Sequence, residues 1–174
     1  MRHAGVRCFG IVIPRAIVAL CLLAVVTLPT GCGEGMQGEG PGHRFQPIAL
    51  TPPEELELGR EAYAEILSRS VVIQAGPDVD RVRRVSQRIA KAVEIGPLQR
   101  EINLHLSEYR LEWQYGVLKD EQINAFCLPG GKIGVFTGLL EAVRNDDQLA
   151  AVIAHEVAHA LAHHTSERTS MGRI

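Results

Sequence analysis

Five residues constrain this chain most: His155-Glu156-Val157-Ala158-His159, set in a stretch from Gln148 to His164 rich in Ala, Leu and Val. Polar side chains placed among apolar ones cost free energy unless something compensates them. Asn145, Asp146 and Asp147 can cap a helix here, and the two carboxylates favour its positive end. Apart from its His and Glu positions the stretch is apolar nearly all round, which predicts a buried helix. Helical residues four apart are offset by about 40° and lie about 6 Å apart along the axis, so both imidazoles reach one ion. Zinc accepts neutral imidazole nitrogen. A carboxylate beside that ion can take a proton from water and pass it to a leaving amine. His155 and His159 are therefore candidate ligands of one Zn2+ per chain, and Glu156 is the candidate catalytic base. His163 continues the series but sits about 12 Å along the axis from His155, too far for the same ion. His163 and His164 are expected to cap the helix C-terminus, where an imidazolium suits the dipole.

The upstream pattern supplies the rest of the fold. Thr51-Pro52-Pro53-Glu54 is a helix start, with Thr51 as cap, prolines in the first turn and Glu54 three residues on. Leu56, Gly59, Tyr63, Ile66 and Leu67 recur at helical spacing, and a second helix is marked by Val79, Val82, Ile89 and Val93. The basic face of that second helix, Arg81, Arg84, Arg88 and Lys91, reads as a solvated surface. The period then changes. Leu111, Trp113, Tyr115 and Val117 alternate with polar residues and glycine, as a half-buried strand does. Ile123 to Leu128 and Ile133 to Phe136 are further strands around a Pro129-Gly130-Gly131 turn, and Gly138 to Val143 starts a short helix. Helices, a small antiparallel sheet and more helices make the class α+β. A formal charge of −2 without a clustered basic region argues against a nucleic-acid partner.

The N-terminus reads as a secretion signal. Arg2, Arg7 and Arg15 precede an apolar run from Ala16 to Leu28, and no acidic residue occurs before Glu34. That run is shorter than the ~20 residues that span a bilayer. The Gly31-Cys32 junction resembles a lipobox, although Pro29 stands where that motif usually has Leu. Residues 1–31 are thus expected to be a lipoprotein-type signal, with Cys32 lipidated and anchoring the chain to a membrane. Residues 32–46, rich in Gly, are expected to be a flexible tether, and the folded domain to occupy 47–174. Cys8 and Cys21 leave with the signal, and Cys127 remains as a small buried hydrophobe in a strand.

The run from Asn124 to Arg168, NAFCLPGGKIGVFTGLLEAVRNDDQLAAVIAHEVAHALAHHTSER, resembles the zinc metallopeptidases of family forty-eight, which include the CAAX prenyl protease and HtpX. The stretch Glu57 to Leu67, ELGREAYAEIL, resembles the periplasmic branch, and the likeness covers roughly residues 50–170. The resemblance implies a gluzincin endopeptidase of zincin-like fold, with His155 and His159 on zinc and Glu156 as base. It implies that the strand holding Asn124, Ala125 and Phe126 lies over the cleft, where an extended polypeptide substrate could add as a strand. The expected setting is the periplasm-facing side of the bacterial envelope, acting on misfolded or misassembled proteins. The family's third ligand is a Glu on a later helix, tens of residues past HExxH. Fifteen residues follow His159 here, and Glu167 is the sole acidic candidate among them, out of reach on a straight helix. The expectation is a domain represented by its N-terminal part, truncated at the C-terminus. The competing reading is a catalytically impaired polypeptide-binding module.

Overall fold

A computed structural model of the chain describes residues 37–104, 106–107 and 109–172. The signal and Cys32 lie outside the described residues. Strands β1 (Gln37–Glu39) and β2 (Phe45–Pro47) form a two-stranded antiparallel sheet. Helix α1 (Pro52–Arg69) follows, then β3 (Val72–Ile73), α2 (Pro77–Val93), α3 (Gly96–Glu101), β4 (Gln114–Leu118), β5 (Ala125–Leu128), β6 (Lys132–Phe136), α4 (Thr137–Ala142), α5 (Asp146–Leu161) and α6 (His164–Ser170). Among the described residues no helix is long and apolar enough to cross a membrane.

Local chemistry sets the helix starts where the sequence puts them. Glu54 Oε2 accepts from the Thr51 backbone N–H at 2.8 Å and from the Thr51 hydroxyl at 2.7 Å, so the capping pair at the head of α1 forms. Asn145 Oδ1 accepts from Gln148 N at 2.9 Å and closes the first turn of α5.

The larger sheet has the order β3-β4-β6-β5. It is mixed, which corrects the antiparallel expectation: β5 and β6 form an antiparallel hairpin, but β4 runs parallel to β6. The three strands do not meander, because β6 inserts between its two predecessors. The crossover is pinned at the end of β6. Thr137 Oγ1 donates to Asp120 O at 2.8 Å, and Gly138 N donates to the same carbonyl at 2.8 Å. A Cβ on Gly138 would stand 2.1 Å from Glu121 O, so only glycine permits the approach. The hairpin turn needs glycine for another reason: Gly131 has φ +81°, and a Cβ there would also strike the Trp113 ring.

Two strands start later than their residue patterns suggest. Glu112 N and Gln114 N donate to Gly130 O and Gly131 O, so the segment before β4 docks on the turn before it joins the ladder. Ile123, expected in β5, is 70% exposed and precedes the strand. Helix α1 covers one sheet face, where Tyr63 OH donates to Ile133 O at 3.2 Å and the Tyr63 ring meets Phe126 edge-on. Helices α2 and α5 cover the other, with Val82, Val85, Leu149, Ile153 and Val157 packed on Val117, Ala125, Ile133 and Val135.

Of the Gly-rich stretch read as a tether, 32–46, the residues from Gln37 onward form β1, the turn after it and most of β2. Gln46 is buried, and Arg44 forms a two-pronged ion pair with Glu167 of α6, both bonds 2.5 Å. Glycine content signals flexibility only while nothing binds the segment. Here Arg44 and Gln46 attach it to a part of the chain more than a hundred residues away.

Candidate metal centre

Helix α5 is amphipathic, not buried all round. Leu149, Ile153, Val157 and Leu161 recur every four residues as one buried stripe, while Ala151, Ala154, His155 and Ala158 are exposed. Alanines make the stretch look apolar on every face, but so small a side chain loses little when exposed. His155 and His159 therefore lie on the solvent side of the helix, and Glu156 is half-buried.

The two imidazoles converge. Their Nε2 atoms are 3.0 Å apart and their rings meet edge to face at 82°. Two zinc–nitrogen bonds of about 2.0–2.1 Å span that separation. One turn of helix thus supplies two nitrogen donors aimed at one point, and this donor set suits zinc. Among the described residues no third His, Cys, Asp or Glu joins them. Glu167, the acidic candidate, is committed elsewhere: Arg44 and Gln46 bind its carboxylate and hold it well below the usual range, at about 2, the Arg44 hydrogen bonds being the chief cause.

Strand β5 lies against α5 at the edge of the sheet. It pairs with β6, and among the described residues no strand pairs along its outer side. The three residues expected over the cleft divide. Ala125 is buried in the core, Phe126 turns to the α1 face against Tyr63 and Phe136, and Asn124 sits exposed just ahead of the strand, its side chain accepting from Ala125 N at 2.9 Å. What β5 offers instead is its outer backbone edge, which no described strand pairs with. Cys127 of this strand faces α5. Burial pushes its thiol up to about 12, and the charge of Glu156 adds to the effect. An unreactive thiol beside the catalytic-base candidate agrees with a packing role.

The helix C-terminus departs from expectation. His163 does not cap α5 in solvent. It adopts a left-handed conformation (φ 53°), turns the chain into α6 and is 8% exposed. Its Nδ1 donates to Glu55 Oε2 at 2.9 Å, the Tyr109 hydroxyl donates to the same oxygen at 2.7 Å, and the Tyr109 and His163 rings stack with centroids 4.5 Å apart. The cap is Gln46, whose Nε2 donates to Ala162 O at 2.6 Å. His164 reaches back instead, with Nδ1 2.6 Å from His159 Nδ1. Burial, and then the charge of His159, lower the His164 pKa. Sequence reasoning missed Glu55, Gln46 and Tyr109 altogether. The available signal was a Glu on the apolar-facing side of α1, four residues before Gly59 and eight before the buried Tyr63.

The family model "Peptidase family M48" matches residues 79–174, more than half of the chain, including His155, Glu156, His159 and His164. The chain belongs to peptidase family M48. Among curated members it is 33% identical over 133 residues to the mitochondrial metalloendopeptidase OMA1 of Schizosaccharomyces pombe, covering 75% of this chain and 35% of that protein. It is 33% identical over 129 residues to OMA1 of Saccharomyces cerevisiae, 73% of this chain and 37% of that one. The metalloprotease LoiP of Escherichia coli is 24% identical over 153 residues, 85% of this chain and 54% of LoiP. This M48 chain therefore spans about a third to a half of the length of these relatives.

Proposed function

We propose that this chain carries the core of a zinc-dependent endopeptidase held at the bacterial envelope membrane, cutting misfolded or misassembled polypeptides. The observation that carries the reading is the pair of Nε2 atoms 3.0 Å apart, with Glu156 following His155 in sequence, on a helix packed against a strand that has no partner on its outer side among the described residues. The M48 match and the metalloendopeptidase names of its relatives support the reaction class.

His155 and His159 would hold the zinc, which when bound supplies Lewis acidity at the scissile carbonyl. The chain's own residues do the rest. Glu156 accepts a proton from the attacking water and delivers it to the leaving amine nitrogen. The outer edge of β5 aligns an extended substrate by backbone hydrogen bonds. Such recognition is indifferent to side-chain identity and favours unfolded polypeptide. Cys32, as the lipidated N-terminus of the mature protein, would tether the domain.

The test compares Glu156→Gln with His155→Ala and His159→Ala. Glu156→Gln should keep zinc and lose cleavage of an unfolded substrate, while the histidine variants should lose zinc. Normal cleavage by the Glu156→Gln protein overturns the assignment of the base. Substrate binding without chelator-sensitive cleavage would favour the binding module. Cys32→Ser should release the protein from the membrane fraction, and its retention there would refute the anchor.

A further inference from the structure

We propose that His164 is the positioning residue of the metal centre: its Nδ1 accepts the proton on His159 Nδ1, leaving the Nε2 lone pair of His159 free to face the metal. The inference rests on the reading of His155 and His159 as zinc ligands, and deepens it.

The two nitrogens of His159 are separately engaged. Nε2 is 3.0 Å from His155 Nε2, and Nδ1 is 2.6 Å from His164 Nδ1. A neutral imidazole carries one proton, so a lone pair at Nε2 requires the proton at Nδ1. A hydrogen-bond acceptor at Nδ1 selects that tautomer and fixes the ring plane, as partners of metal-ligating histidines do. His164 cannot be a third ligand of the same ion, because it approaches the opposite side of the His159 ring from the Nε2 pair.

His164 is in place because the corner before it is built from afar. His163, in its left-handed conformation, sends its own side chain to Glu55, which is 1% exposed. Gln46 holds Ala162 O at 2.6 Å, and Leu50 N donates to Ser166 Oγ at 2.9 Å. A helix that merely had to end would take glycine at the left-handed position. Here a histidine occupies it, with three tertiary bonds fixing the corner, and the next residue meets the ligand.

The experiment uses the full chain and Zn2+ alone as the probe. Affinity is measured by chelator competition for wild type, His164→Ala and His164→Asn, with circular dichroism to check the fold. Loss of the acceptor should weaken zinc binding by about 10- to 100-fold. Asn, which restores an acceptor near the Nδ1 position, should recover most of that loss. In zinc-loaded wild type, nitrogen–proton correlation spectra should show His159 protonated at Nδ1. A folded His164→Ala protein with wild-type zinc affinity overturns the proposal, as does a proton on Nε2 of His159. If the alanine variant does not fold, the His159 tautomer decides alone. A wild-type chain that takes no zinc removes the ligand reading itself, and this proposal with it.

Discussion

The two ends of α5 are both fixed by charged partners on earlier helices, and they differ in kind. At the N-terminus Asp146 accepts from Arg81 at 3.1 Å and from Arg84 at 2.8 Å, with Arg84 58% exposed. At the C-terminus the Glu55 carboxylate meets His163 and Tyr109 out of water. Exposed pairs gain little over hydrated ions and are screened by salt. A buried pair gives little net stability by its presence, yet losing one partner strands the other in a medium that cannot solvate it. The N-terminal end is thus tuned by several small, replaceable contacts. The C-terminal end, next to the histidines, rests on a buried carboxylate, with Gln46 and Leu50 holding the same corner.

The sharpest way to break this comparison is Glu55→Ala. It removes the buried oxygen that accepts from His163 Nδ1 and from the Tyr109 hydroxyl and should cost about 1–3 kcal/mol in urea unfolding. A loss under about 1 kcal/mol would put the two ends on equal footing. A smaller effect is expected at the Arg44–Glu167 pair, because Arg44 is 44% exposed. Glu167 is held at about 2 against an ordinary 4.5. A depressed carboxylate stabilises the fold fully above its unfolded value, so this contribution should disappear as pH falls from 4.5 towards 2. Arg44→Ala should flatten the dependence of stability on pH in that window, and an unaltered slope would contradict the pairing. Next comes Asn145→Ala, which removes the cap on Gln148 N and should cost about 1 kcal/mol in thermal or urea melts. Smallest is Arg84→Ala, at about 0.2–1 kcal/mol, since Arg81 still holds Asp146. That loss should vanish in molar salt, and its persistence would show that this end too depends on a desolvated contact.

The same contrast marks what the sequence discloses. Thr51 with Glu54, Asn145 with Gln148, and the Pro129-Gly130-Gly131 turn act within a few residues, and their patterns are readable directly. The HExxH spacing is equally local, so the convergence of His155 and His159 follows from helix geometry. Glu55 and His163 are separated by 108 positions, and no local pattern announces that one turns towards the other. His163 looked like an exposed cap because nothing nearby in sequence could bury it. The sheet order failed for a related reason. Alternation reports which face of a strand is buried, but not which strand lies beside it, and the insertion of β6 depends on a close approach at Gly138.

That insertion bears on how the chain folds. The β5–β6 hairpin closes across three residues, with Leu128 opposite Lys132, and such local closure takes about 1–10 μs. The β4–β6 ladder closes a longer loop, joining Gln114 to Lys132. Both strand pairings lie N-terminal to α5, as do α2, Gln46 and Glu55. The strand pairings need no residue of α5, because every strand precedes it in the chain. The helix that brings the two imidazoles together can therefore dock on strand pairings that do not depend on it, and in refolding experiments zinc uptake is expected to follow sheet closure.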